Sequence, residues 1–197
     1  MRPLPFVWPY ALVFWVVYVW AFGPEWRIVR EGVKGVRRAE SPDSGSLRLL
    51  LIGQWFALMG AFLLALFHVG AFSAVAIRPL FAVGVTLILL GSLLRRYCWR
   101  TLGEYFTGDV RAHIDQPVIR TGPYRLVRHP SYTGAMMMFI GIGLALGNIL
   151  GFLVLTLTSI AAYGYRVAVE ERALIEVIGE PYRSYMSECK RFIPFVV

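Results

Sequence analysis

Charge is what this chain has least of. Only 16% of its 197 residues are Asp, Glu, Lys or Arg, while 57% are hydrophobic and the mean hydropathy is +0.60. A soluble domain carries about a quarter charged residues and needs far less apolar content to fill one core. The length allows one domain, and the composition makes it a multi-span membrane domain. Cysteine is also scarce. Cys98 and Cys189 stand alone, too few for a disulfide framework and unaccompanied by metal-ligand spacing. The histidines, His68, His113 and His129, are scattered with no zinc pattern, so no metal is expected. There is no phosphate-binding Gly-rich loop. Gly141-x-Gly143 lies inside an apolar run and opens no dinucleotide-binding unit. No internal repeat or heptad is visible. The net charge of +8 and pI near 9.9 suit basic cytoplasmic loops, because no basic stripe lies outside them to bind nucleic acid.

What is present is a series of apolar runs. Leu4 to Phe22 is long enough to span and reads as a retained first helix, since Pro24 follows its small-residue end and only Arg2 precedes it. Residues 47–67 form the second span and Pro79 to Leu94 the third, with Arg95 and Arg96 as its end. Gly23 to Arg48 is polar, with a loop at residues 40–46. Val110 to Ile119 suggests a short hairpin around Asp115-Gln116. Ser131 to Arg166 is apolar for about thirty residues, which as one helix would reach roughly 45 Å, well beyond the hydrocarbon thickness. Gly147-Asn148 sits at its middle and favours a turn. The run is therefore two spans, about 131–146 and 149–168, in a tight helical hairpin. The expected fold is all-α and integral to the membrane, with five transmembrane helices in a single domain over 1–197. Residues 1–94 supply three spans, and 95–197 the last two with the polar segments that flank them.

Charge distribution supports that topology. With five spans, segments 23–48, 95–130 and 166–197 share a side and carry 6, 7 and 5 Lys/Arg, which is 18 of the 20, together with all twelve acidic residues. The positive-inside rule puts that side, with the C-terminus, in the cytoplasm and the N-terminus outside. The hairpin also brings the polar block before residue 131 to the same face as the charged segment after residue 165.

Those two stretches hold the candidate chemistry. Arg166 and Glu170, spaced i, i+4, share one helix face. Such a pair is either a helix-end ion pair with a snorkelling Arg, or an inward pair that binds a zwitterion, Arg taking a carboxylate and Glu an ammonium. His129 precedes Pro130, which bars it from a helix interior. It is either a structural turn residue or a donor beside a helix N-terminus that holds a ligand carboxylate. Tyr124, Tyr132, Tyr182 and Tyr185 suit interfacial anchoring, and one or two of them could stack on a nucleoside.

Gly122-Pro123-Tyr124, then Arg128-His129-Pro130-Ser131-Tyr132-Thr133-Gly134, Arg166 with Glu170-Glu171 and Leu174, Gly179-x-x-Tyr182-x-x-Tyr185 and Arg191-x-x-Pro194 together resemble the isoprenylcysteine carboxyl methyltransferase family. That family stands within the integral membrane methyltransferases that include phospholipid methyltransferases. The likeness covers about residues 100–197, with Leu102-Gly103 fitting upstream. It implies an S-adenosylmethionine-dependent enzyme that methylates a lipidic acceptor, most simply the α-carboxylate of a prenylated cysteine, at a cytoplasmic site. It implies catalytic roles for Arg166 and Glu170. It implies a cofactor pocket lined by Gln116 and Val118 of the 114–128 loop, by Tyr124, Leu126, Val127 and His129, and by Tyr182 and Tyr185. Gln116-Pro117-Val118-Ile119 departs from the His-containing run that members often carry there. The implied partners are the lipid bilayer and the prenylated substrate, in a prokaryotic cell membrane or a eukaryotic endoplasmic reticulum. The alternatives are an amine or phospholipid acceptor, a sterol-type NADPH reductase, whose related block is usually followed by Asn-Tyr in a longer chain, and a non-enzymatic membrane protein.

Overall fold

The computed structural model describes residues 2–37, 45–110 and 116–193. They form α1 (Tyr10–Arg37), α2 (Ser46–Leu66), α3 (Ile77–Leu102), α4 (Pro130–Ala145), α5 (Ile149–Ile178) and α6 (Glu180–Glu188), with short 3-10 turns at Leu4–Phe6, Gly103–Tyr105 and Gly122–Arg125. Four stretches are helical, long and apolar enough to cross a membrane: Tyr10–Glu31, Ser46–Leu66, Ile77–Tyr105 and Ile149–Ile178. Helix α4 is apolar but shorter. Large side chains such as Trp8, Val19, Trp26, Phe67 and Leu157 point outward. On a soluble protein that would be an aggregation surface; on a lipid-embedded one it is the lipid contact.

Three boundaries differ from the sequence expectation. The first span was expected over Leu4 to Phe22, yet α1 begins at Tyr10 and runs through Gly23-Pro24 into the segment expected to be polar and mixed in charge. A proline inside a helix lacks the N–H that the carbonyl four residues back would accept. Here that carbonyl, Trp20 O, accepts instead from Arg96 Nη2 at 2.7 Å, while the Arg96 guanidinium stacks 4.2 Å over the Trp20 ring. Helix α3 likewise does not stop at Leu94. Arg95 and Arg96 lie within it and turn to α1, where Arg95 meets the carboxylate of Glu25. The fifth span, expected over 149–168, and the charged helix expected from Glu170 are continuous in α5 as far as Ile178, where Arg166, Glu170 and Glu171 find partners on neighbouring elements. Of the expected hairpin at 110–119, residues 111–115 lie outside the described residues, and residues 116–120 are irregular rather than strand.

The hairpin at Gly147-Asn148 is present. Gly147 has φ +70°, and a Cβ there would meet Ile77 Cγ1 at 2.8 Å, so both conformation and space demand glycine. Asn148 caps α5 by accepting from Gly151 N at 2.8 Å, and its amide donates to the carbonyls of Leu64 and Val69 at the end of α2.

Two helix pairs make the bundle. Antiparallel α3 and α4 approach closely where Gly84 faces Gly141 and, seven residues on, Gly91 faces Gly134. A Cβ on either Gly84 or Gly141 would sit 2.5 Å from the other's carbonyl oxygen. Lipid is as apolar as a leucine side chain, so close van der Waals contact between small residues, not escape from water, holds such helices together. Ile88, Met138 and Ile142 complete this core. Helices α2 and α5 pair through Gln54, whose amide donates to Ser159 Oγ at 2.9 Å inside the apolar interface.

Candidate active site

Segments from all three stretches that the charge pattern assigned to one side meet at one end of the bundle, around a cavity of about 170 Å3. Glu25, Ile28 and Val29 of α1 and Leu47 and Leu50 of α2 form part of its wall. Arg95 of α3 and Ser131 and Tyr132 of α4 form another. Tyr163, Arg166 and Glu170 of α5 and Tyr182 and Tyr185 of α6 close it, under the 105–109 and 116–119 segments.

Arg166, buried to 3% exposure, is aimed by three contacts. Its Nε donates to Tyr132 Oη at 3.1 Å, Nη1 to Ser46 Oγ at 3.0 Å and Nη2 to Gly108 O at 2.7 Å. Glu170 lies one turn on and accepts from Tyr132 Oη at 2.6 Å. The Tyr132 ring stacks on His129 with centroids 5.6 Å apart and an interplanar angle of 10°. His129 is buried, with Nε2 3.3 Å from Glu171 Oε1 and Nδ1 3.9 Å from Glu170 Oε2. Its imidazole thus bridges two consecutive carboxylates.

Consecutive helical residues point to different faces. Glu170 faces the cavity, and Glu171 faces the chain's final segment. The Glu171 carboxylate accepts from Arg128 Nε at 3.0 Å and from Arg191 Nη2 at 2.7 Å and Nε at 3.1 Å. Arg128 also donates to the carbonyls of Met186 and Cys189. The backbone zips alongside. Arg128 N donates to Lys190 O and His129 N to Arg191 O, while Thr133 Oγ1 reaches Phe192 O. One carboxylate therefore fixes the Arg-His-Pro block against the residues that follow α6.

Tyr124, Tyr182 and Tyr185 are buried at the cavity's polar edge. Burial pushes all three phenols above their ordinary range, so they stay neutral. Tyr185 Oη donates to Tyr124 O at 2.5 Å, tying α6 to the Gly122–Arg125 turn. That turn needs Gly122, whose φ is +56° and whose added Cβ would lie 3.1 Å from Tyr97 Oη. Across the outside, Arg120 makes a two-pronged contact to Glu188 at 2.8 and 2.9 Å and lies 5.5 Å over the Tyr185 ring, holding the 116–120 segment against α6.

Of the residues proposed from sequence, Arg166, Glu170, Gln116, Val118, Tyr124, His129, Tyr182 and Tyr185 all line this cavity. Leu126 and Val127 do not; Leu126 is 53% exposed and Val127 is buried beside Lys190. Tyr132, Glu171, Arg128, Glu25 and Arg95 carry geometry that residue spacing did not assign to them. The helix start at 129–130 forms as expected, and the His129 carbonyl accepts from Tyr132 N and Thr133 N. Among the described residues, no group of three His, Cys, Asp or Glu is placed to hold a metal.

A scan against protein-family profiles matches residues 79–180 to the phospholipid methyltransferase family. The chain is 30% identical over 116 residues to a probable protein-S-isoprenylcysteine O-methyltransferase of Oryza sativa subsp. indica, covering 58% of this chain and 61% of that protein. It is 32% identical over 116 residues to the protein-S-isoprenylcysteine O-methyltransferase of Saccharomyces cerevisiae, covering 58% and 48%. The alignment thus spans about half to three-fifths of these relatives' lengths. Among solved structures, the eukaryotic intramembrane Ras methyltransferase, an isoprenylcysteine carboxyl methyltransferase, superposes with a TM-score of 0.61 at 27% identity, over 74% of this chain and 52% of that one.

Proposed function

Because the chain belongs to the phospholipid methyltransferase family, we propose that it is an integral membrane enzyme that transfers a methyl group from S-adenosylmethionine to the α-carboxylate of a prenylated cysteine. The names of its relatives support the acceptor. The observation that carries the reading is the cavity itself, where Arg166 and Glu170 are held one turn apart among tyrosines, with Arg95 and Arg128 beside Glu25 and Asp109 in the same wall, at the end of an otherwise apolar bundle. An amine acceptor needs no cation beside it, whereas a carboxylate does.

The residues fit the cofactor. Its amino-acid end is a zwitterion, and Arg166 and Glu170 present a fixed cation and anion within one helical turn. Its nucleoside end is aromatic, and Tyr124, Tyr182 and Tyr185 supply buried rings beside the irregular 116–119 segment, with His129 and its two carboxylates beneath. When bound, the cofactor supplies an electrophilic methyl on a sulfonium. The acceptor carboxylate is already a nucleophile, so the protein needs no strong general base. Its work is alignment, exclusion of water, and placement of charge. Arg166, held at all three edges of its guanidinium, cannot drift. The lipid bilayer delivers the prenyl tail sideways to the apolar wall, and the cofactor comes from the aqueous face. We assign all five apolar helices, α1 to α5, to the membrane, with the cavity and C-terminus cytoplasmic and the N-terminus outside. The excess of Lys and Arg on the cavity side supports this orientation.

The test is a side-by-side acceptor panel. Detergent-purified protein receives labelled S-adenosylmethionine with N-acetyl-S-farnesylcysteine, its carboxamide, or phosphatidylethanolamine vesicles. The expected result is label in the free acid only. Label in the phospholipid would move the acceptor class to amines and overturn the carboxylate assignment.

A further inference from the structure

Arg95 has an arrangement that the pairing of Arg166 with Glu170 does not explain. It sits on α3 at the polar end of the bundle, where a cation could reach water, yet its guanidinium is almost fully enclosed, with side-chain exposure of 11%. One edge, Nε and Nη2, grips both oxygens of the Glu25 carboxylate, with Nε to Oε1 at 2.6 Å. The remaining nitrogen, Nη1, donates to Ser131 O at 3.0 Å and Ser131 Oγ at 2.9 Å. The Phe106 ring lies 5.9 Å from its centre, and Gly134 leaves the room its stem needs, since a Cβ there would touch Arg95 Cγ at 3.0 Å. This is a preorganised fork with a carboxylate seated on it, and both partners face the cavity.

The carboxylate is held on a jointed arm. Glu25 directly follows Pro24, where α1 lacks a backbone hydrogen bond and Arg96 takes over the orphaned Trp20 carbonyl. Up to that joint α1 is tied to α3, also through Ser92 Oγ and Ala21 O. Past it, the described side chains of α1 that turn inward are Glu25, Ile28 and Val29 at the cavity wall, while Trp26, Arg27 and Arg30 are exposed. Opposite, Leu47 and Leu50 of α2 complete an apolar surface suited to an alkyl chain.

We propose that Arg95 is the seat for the acceptor's carboxylate, and that Glu25 occupies this seat until a lipid-linked carboxylate displaces it. The prenylcysteine acid would place its tail against Ile28, Val29, Leu47 and Leu50 and its carboxylate on the Arg95 fork, next to the first turn of α4. Tyr132, adjacent to Ser131, already connects that turn to Arg166 and Glu170. Glu25 is therefore an internal competitor, and Pro24 is the joint that lets it withdraw. A ligand whose site is only part of the time vacant binds more weakly in proportion to the vacant fraction. Removing the competitor's charge tightens binding of acids and leaves neutral analogues unaffected. The inference rests on the carboxylate-acceptor reading above.

The test compares binding of N-acetyl-S-farnesylcysteine and its carboxamide to detergent-purified wild type, Glu25→Gln and Arg95→Gln, with S-adenosylhomocysteine affinity and acceptor turnover measured on the same samples. Glu25→Gln is expected to tighten the acid about threefold to tenfold, with the carboxamide and S-adenosylhomocysteine unchanged. Arg95→Gln is expected to weaken the acid about tenfold or more, again sparing S-adenosylhomocysteine. If Glu25 merely braces α1, Glu25→Gln loosens acid and amide alike, or changes neither, and the proposal is overturned. If wild type methylates the acid but Glu25→Gln shows no acid-selective gain, this inference alone fails. If wild type binds S-adenosylhomocysteine but neither binds nor methylates the acid, the carboxylate reading and this inference fail together.

Discussion

The hydroxyl of Tyr132 joins Arg166 to Glu170. It accepts from Arg166 Nε at 3.1 Å and donates to Glu170 Oε2 at 2.6 Å, so the i, i+4 pair on α5 is set by a residue on α4. The hairpin that unites these helices thus also sets the spacing of the two charges.

Tyr132→Phe keeps the stack on His129 and the contact with Tyr163 but removes that bridge. Turnover should fall about 100-fold, the scale of a small misplacement of reacting groups. Thermal stability should change little, because the ring stays packed. Steady-state kinetics beside a melting curve separates the two effects. Wild-type turnover would show that Arg166 and Glu170 hold their own positions.

Arg166→Ala and Glu170→Ala should each abolish detectable transfer in a protein that remains folded and membrane-inserted. Arg166→Lys keeps the charge yet loses the planar fork that reaches Ser46, Tyr132 and Gly108, so it should rescue only poorly. His129→Ala should weaken S-adenosylhomocysteine binding, measured by calorimetry. Full turnover in both alanine variants of the pair would remove them from the transfer centre.

Burial decides which ion pairs matter to stability. Glu171, with a side-chain exposure of 4%, neutralises Arg128 and Arg191 and meets His129. Glu171→Ala leaves a buried cation without its counter-charge and should cost about 3–5 kcal/mol, read as a large fall in melting temperature and release of the chain after α6 to protease. The Arg120–Glu188 pair is exposed, at 39% and 53%, and Arg120→Ala should cost less than about 1 kcal/mol. Equal losses from both variants would contradict this ordering.

Gly84→Ala puts a methyl 2.5 Å from the Gly141 carbonyl oxygen. Helices α3 and α4 must separate, at about 1–3 kcal/mol. Gly60→Ala, where a Cβ meets nothing within 4 Å, is the control that should leave melting unchanged.

Much of this architecture is legible in the sequence, and the reasons are local. Gly147-Asn148 marks its turn by residue type alone, because a left-handed backbone and a capping amide are intrinsic to those side chains. The apolar runs and the basic bias of the loops gather the right segments at one end of the bundle. Helix ends escape the sequence pattern where a polar residue finds its partner far along the chain. Arg95 reads as a terminator until Glu25, seventy residues earlier, is seen beside it. The first span reads as ending at Phe22, yet α1 continues through Pro24, where Arg96 supplies the missing donor. Residue spacing gives Glu171 no role of its own, yet α5 turns it to the chain's last segment while Glu170 faces the cavity. Such pairings depend on how α1 lies against α3 and how residues 190–192 fold back, and no spacing rule encodes them.

Whether the methyl group ends on a carboxylate oxygen is decided by the nature of the product bond. Detergent-purified protein is incubated with methyl-labelled S-adenosylmethionine and N-acetyl-S-farnesylcysteine, and the product is treated with mild base. A methyl ester releases its label as volatile methanol, which is the predicted result. Label that enters the product but survives base would mean transfer to nitrogen or carbon, and would contradict the account.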